Sequence, residues 1–329
     1  MFSGFANVWT PVELSRNLKK APMQVTVAGE KVALFRDAKG APAALIDRCP
    51  HRGVALSLGK VTADGCLSCP FHGWEFDAQG KCGHVPFNPD AKRERLFATA
   101  LPVRERGGFI WLYTAPVEQP PSEPVVPEAF EDPAFVVQRI DLRWNAHWTR
   151  AMENMLDSPH LPFVHRKTIG FPIRRRMTRE SKAVVTYEET ATGGRLGFEL
   201  EGAPRQGALL EFNKPNGMVL HIPIPGKRMR IHVHCVPVDD GHTRMFLTGT
   251  RDFGRFNPFV RMFDEVNRLI AYEDKAIVES SSPAEVPPAS QEVSVPTDRG
   301  TLQFRKYYYE VLKDSSADPK PKLRRVDAA

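Results

Sequence analysis

The hydrophobic pattern reads as short strands and turns in the first part of the chain and as a mixture of strands and helices in the second. Through the first ~115 residues the apolar runs are short, and turn residues interrupt them at close intervals. Gln24–Val27, Lys31–Arg36 and Ala43–Ile46 read as strands punctuated by Gly29, Gly40 and Pro42, and Phe109–Tyr113 is a strongly β-prone run. Six prolines between Pro116 and Pro133 then break any regular pattern, which marks a linker. Beyond it, Val136–Trp144 predicts a strand and Asn145–Asp157 a helix with Asn145 as its N-cap. Val184–Glu189, Ala208–Phe212, Arg230–Val238 and Arg244–Thr250 read as further strands. Asn257 and Pro258 look like the N-cap and first turn of a long helix running to about Ser281. In that helix a 100° period lines up Phe259, Phe263, Val266, Ile270 and Ile277 as the apolar stripe. A shorter helix is expected over Leu302–Leu312, followed by a Lys-, Pro- and Asp-rich tail expected to be disordered. The fold class is α+β, with domains at 1–115 and 136–314, a linker at 116–135 and a tail at 315–329.

Composition narrows the class. At 329 residues, 42% hydrophobic and 26% charged, the chain has apolar material for two ordinary cores. No apolar run reaches the ~18–20 residues of a membrane helix, so no span is expected. The first residues, Met1 to Asn7, lack the basic and apolar regions of a secretory signal, which makes the cytoplasm the expected compartment. The net charge is +6, but most basic residues are interspersed with acidic ones, and no nucleic-acid partner is expected. The exception is Arg166, Lys167, Arg174, Arg175, Arg176 and Arg179, a stretch without an acid. It reads as a solvated loop, as a dock for an acidic electron-transfer partner, or as a means of steering an anionic substrate.

Of the five cysteines, Cys49, Cys66, Cys69 and Cys82 fall within 34 residues, and Cys235 stands apart. An odd, clustered set without an export signal points to metal binding rather than to disulfides. Residues 49–52 read Cys-Pro-His-Arg and residues 69–74 read Cys-Pro-Phe-His-Gly-Trp. Each loop offers one thiolate and one imidazole, the set that a [2Fe–2S] cluster with Cys on one iron and His on the other requires. Cys66-x-x-Cys69 also has zinc spacing, but that reading leaves Cys49 and His51 without a role. Cys66, Cys82 and Cys235 read as packing residues.

The stretch from Cys49 to Phe76 resembles the Rieske iron–sulfur domain. The resemblance implies that Cys49 and Cys69 bind one iron and that His51 and His72 bind the other. Downstream, residues 153–165 gather Asn154, Asp157, His160 and His165, and Pro159 and Pro162 exclude one regular helix through both histidines. Two histidines five apart are weak evidence by themselves. The spacing Asn-x-x-Asp-x-x-His-x-x-x-x-His behind a Rieske domain, however, resembles the catalytic domain of the Rieske non-haem iron oxygenases.

That family resemblance covers Trp9 to about Leu312. It implies a helix-grip fold: a curved antiparallel sheet around a long C-terminal helix. It also implies a mononuclear Fe(II) held by His160, His165 and a carboxylate of that helix. Glu273 and Asp274 both fall at the edges of the apolar stripe, and helical geometry does not choose between them; the family pattern selects Asp274. By the same resemblance Asp157 links the catalytic histidine to a cluster histidine of a neighbouring subunit, within a homotrimer, and Asn154 lies beside the iron. The implied function is a terminal oxygenase that hydroxylates or demethylates a small organic substrate with O₂. A separate NAD(P)H-dependent reductase or a ferredoxin would supply its electrons. The competing readings are an electron carrier and a structural zinc protein. His221, His232 and His234 are candidates to line the substrate cavity, with ordinary packing as the alternative.

Overall fold

The computed structural model describes residues 1–201 and 208–313. The expected tail at 315–329 lies outside the described residues. The N-terminal part is built of three small antiparallel sheets. Phe109–Tyr113 runs between Trp9–Leu14 and Val103–Arg106. Met23–Val27, Glu30–Arg36, Pro42–Ile46 and Ala100–Leu101 form a second sheet. Four very short strands, Lys60–Val61, Leu67–Ser68, Glu75–Phe76 and Cys82–His84, form the third.

The C-terminal part is one seven-stranded antiparallel sheet. Its order is Val136–Trp144, His242–Arg251, Met229–Asp239, Gly217–His221, Ala208–Asn213, Gly193–Leu200 and Ala183–Thr190. Six strands follow one another as a meander, and the first in sequence closes the edge beside the last. The long helix Asn257–Val278 lies on one face. The core runs unbroken from the small sheets into the large one, where Phe109 meets Phe246 edge-on at 5.4 Å. A separate small core surrounds Cys49 and Cys69, with Phe35, Leu45, Leu56, Leu67 and Phe76. No helix among the described residues is long and apolar enough to cross a membrane.

Several sequence expectations need correction. The strand Trp9–Leu14 was hidden by Pro11, and its register slips between Pro11 and Glu13, where a bulge accommodates the proline. Gly193, Gly194 and Gly197 masked the strand Gly193–Leu200. The first helix starts at Trp148, not Asn145; its cap is His147, whose Nδ1 accepts from the Thr149 backbone N–H at 3.4 Å. Phe256, not Asn257, is the N-cap of the long helix, and Pro258 sits within its first turn. The C-terminal helix spans Arg299–Tyr307 and widens over Tyr308–Lys313.

The inward stripe of the long helix also differs. Val266 and Ile277 are exposed, whereas Asn267, Ile270, Ala271, Asp274 and Val278 are buried. The side chain of Phe259 lies outside the description. The apolar pattern misled because two inward positions are polar, and Met262, Leu269 and Tyr272 are exposed on the outer side.

Candidate metal and substrate site

Two loops of similar construction present the first set of side chains. In each, the cysteine carbonyl accepts from the N–H of a glycine four residues on, Gly53 at 2.9 Å and Gly73 at 3.0 Å. Both glycines have φ near +70°, at 74° and 70°, where a side chain would be strained. The turns direct Cys49 and Cys69 into the small core, and burial pushes the Cys49 thiol up to about 11, with the neighbouring Cys69 adding to the rise. His51 and His72 lie outside that core with their Nδ1 atoms 3.2 Å apart. Trp74 stacks on His51 at 4.6 Å, and the exposed Phe71 covers His72 at 3.9 Å.

The result is a thiol pair on one side and an imidazole pair on the other. Among the described residues, only His160, His165 and Asp274 bring three ligand atoms within 4.8 Å of one another. The four loop residues do not make that single-ion cage, whose ligand atoms would sit about 3.5 Å apart around zinc. A paired arrangement suits a two-iron cluster with Cys₂ and His₂ ends. Cys66 is half-buried, while Cys82 and Cys235 are buried, and burial raises all three thiols.

The second set is assembled from distant parts of the chain. The first helix ends at Leu156, and Pro162 starts a single turn, Leu161–Val164, with His160 before it and His165 after it. The two rings stand 5.2 Å apart. Asp274 enters from the long helix, 3.5 Å from His160 Nε2 and 3.0 Å from His165 Nε2 through its Oδ1. By its geometry that oxygen has no hydrogen-bond partner among the described residues. A buried carboxylate oxygen without a partner is costly. A divalent cation between the three groups would satisfy it, and two histidines with one carboxylate is the donor set of non-haem Fe(II) sites. The residues therefore fit the iron that the sequence implies.

Each imidazole also has a carboxylate on its far side. Asp157 Oδ2 lies 3.4 Å from His160 Nδ1, close but not hydrogen-bonded. Glu273 Oε2 lies 2.9 Å from His165 Nδ1 and accepts from Thr168 Oγ1 at 2.8 Å. Burial opposes protonation of His165, but Asp274 and Glu273 together hold its pKa above the usual imidazole value. The two adjacent acids of the helix thus face opposite edges of one imidazole. Sequence reasoning weighed Glu273 only as the alternative iron ligand and did not single out Thr168; a helix turn carrying two successive acids was the available signal.

Behind these groups lies a cavity of about 100 Å³ between helix and sheet. Leu210, Met218, Ile231, Val233, Met245 and Leu247 form its sheet wall, and Ile169 and Ile173 come from the basic segment. Asn154 also reaches it, with a buried Nδ2 that lacks a partner. His221, His232 and His234 do not line it. On strand Met229–Asp239 the alternating positions Ile231 and Val233 face the cavity, so His232 and His234 face the other way and pack on Phe130 of the linker and on Trp111 of the N-terminal sheet. Burial lowers their pKa values to about 3 and about 4, which keeps both neutral. His221 instead meets Glu211 at 2.9 Å. The arginines and lysine of 166–179 are exposed, so that segment is apolar inside and basic outside.

Comparison with known proteins agrees with this geometry. Residues 8–100 match the model of the Rieske [2Fe-2S] domain, and residues 144–314 match the vanillate O-demethylase oxygenase C-terminal domain. The chain is 28% identical to methylxanthine N1-demethylase NdmA of Pseudomonas putida over 322 residues, 92% of this chain and 88% of that one. It is 30% identical to chlorophyllide a oxygenase of Chlamydomonas reinhardtii over 84% of this chain, but spans only 43% of that protein. The solved structure of Pseudomonas putida CBB5 NdmA superposes with a TM-score of 0.79 at 25% identity, covering 94% of this chain and 92% of the other. Dicamba monooxygenase bound to dicamba shares the fold, with a TM-score of 0.76 at 22% identity, covering 95% of this chain and 98% of the other.

Proposed function

The chain belongs to the Rieske non-haem iron oxygenases, and from that membership we propose that it is a terminal oxygenase that hydroxylates or oxidatively demethylates a small organic substrate. The observation that carries this reading is the unpartnered Asp274 oxygen facing two imidazoles at the end of an apolar cavity. In this reading Cys49, Cys69, His51 and His72 hold the cluster, and His160, His165 and Asp274 hold the iron. The cluster supplies electrons one at a time, and ferrous iron supplies the capacity to activate O₂.

The chain's own residues do the rest. Glu273 accepts from His165 Nδ1, which leaves Nε2 as the free lone pair on the Asp274 side. Asp157 stands at His160 Nδ1 and can orient that ring in the same way. The Leu, Ile, Val and Met walls exclude water from the reacting end of the substrate. Asn154 offers an amide donor beside the histidines.

A homotrimer extends the reading. His72 and Phe71 are exposed at the tip of one loop, and Asp157 is only partly covered. A head-to-tail ring would bring His72 of one subunit to Asp157 of the next. A separate reductase or ferredoxin is the electron source, and a cytoplasmic location completes the proposal.

Metal and sulfide analysis of anaerobically purified protein tests it, together with single-turnover oxidation of the reduced cluster. About three irons per chain are expected for an oxygenase and about two for an electron carrier. A colourless protein holding zinc would overturn the reading.

A further inference from the structure

We infer that Asn267 is the substrate anchor, and that it selects a ring-sized, uncharged substrate with an amide or carbonyl group at the end opposite the site of oxidation. The inference rests on the oxygenase reading and names the substrate class of that site. Asn267 is 3% exposed, lines the cavity, and has no hydrogen-bond partner among the described residues. A buried amide in an apolar wall is unfavourable unless something pairs with it. Here its side chain lines the cavity, so a molecule held there can supply the missing partner.

The position of the amide is built into the fold. Gly249 lies on the same face of its strand as the lining residues Met245 and Leu247. A Cβ at Gly249 would stand 3.2 Å from Asn267 Nδ2, so the missing side chain leaves room for the amide. On the helix, Asn267, Ile270, Ala271 and Asp274 share the inward face and all line the cavity. Seven residues separate Asn267 from Asp274, about 10 Å of helix rise. A substrate held by Asn267 at one end therefore presents its other end to the histidine–carboxylate site. A cavity of about 100 Å³ is of the order that a single ring occupies.

Charge sets the class. Among the described residues no lysine or arginine lines the cavity, and its ionisable groups are Asp157, His160, His165 and Asp274. A carboxylate at the Asn267 end would be buried without a cation. A neutral carbonyl can accept from the Asn267 amide N–H, and a neutral amide N–H can donate to its oxygen.

Calorimetric titration of the anaerobic, iron-loaded protein tests this with three probes of matched shape: para-methoxybenzamide, methoxybenzene and para-methoxybenzoate. The benzamide should bind about tenfold tighter than methoxybenzene, and the benzoate weakest. Asn267→Leu should bring the benzamide-to-methoxybenzene ratio to about one while leaving methoxybenzene affinity in place. Gly249→Ala should move the ratio the same way by displacing the amide. Retained cluster absorption reports that both variants are folded. An unchanged ratio in Asn267→Leu overturns the anchor, as does tightest binding of the benzoate or no binding of any probe. Binding needs no turnover, so a preserved preference in a protein that never oxidises a substrate would sink the oxygenase reading and leave the anchor standing.

Discussion

The cluster loops and the histidine–carboxylate site differ in how far the chain travels to assemble them. Cys49 to His72 is a single local stretch, closed by two glycine turns of nearly the same geometry. His160 and His165 come from a broken helix, and Asp274, more than a hundred residues later, comes from the long helix. The first set keeps its thiols in a small private core and its imidazoles at the surface. The second is enclosed, with His165 1% and Asp274 4% exposed. A site that exchanges electrons with another protein needs a surface edge, and one that holds a reacting substrate needs walls. Local turns can supply the former, whereas the latter takes a sheet and a helix packed together.

If this contrast is sound, the sharpest break is Cys69→Ala. It removes the thiol of one of the two loops, so the visible cluster absorption should vanish and the melting temperature should fall, because metal-linked folding energy is lost. A wild-type spectrum would show that Cys69 is not a ligand. Asp274→Ala should produce the complementary phenotype: turnover at background, about one iron fewer per chain, and an unaltered cluster spectrum. Should iron content stay at the wild-type level, the carboxylate ligand must be sought elsewhere, with Glu273 first.

Asp157→Asn probes the connection between the two regions. Both metals should load normally, while oxygen-dependent reoxidation of the reduced cluster slows about 10- to 100-fold, the range for residues that orient a metal-bound histidine. Stopped-flow absorbance follows this directly, and an unchanged rate would remove Asp157 from the path. A smaller effect is expected from Glu273→Gln, which keeps the shape but weakens the hold on His165 Nδ1. Iron affinity measured by competition with a chelator should drop about tenfold, with the cluster untouched. Equal affinity in the two proteins would mean that packing alone orients the ring.

The sequence was legible where chemistry is local. Two short loops carry their own turn residues beside their Cys–His pairs, so the Rieske resemblance could be read from Cys49 to Phe76 without tertiary information. The strand Glu30–Arg36 was visible as a short apolar run between turn residues and Met229–Asp239 through the alternation of its first residues, since both signals are properties of a few neighbouring residues. The inward face of the long helix was misread because the functional face is partly polar. Asn267 looks like a surface residue until the cavity is seen, and Val266 and Ile277 look like core until they are found exposed.

By itself, the order of residues determined that a thiolate–imidazole pair of loops precedes a histidine pair, and that a long helix carrying two adjacent acids follows. Only the tertiary structure decided which acid turns toward both Nε2 atoms and which stands behind His165, because residues 100° apart on a helix become different once one face is pressed against a sheet. It likewise decided that Ile231 and Val233, rather than His232 and His234, face the cavity. A strand's two faces are equivalent in sequence until something packs on one of them. Here the linker and the N-terminal sheet cover the histidine side and leave the apolar side to the cavity.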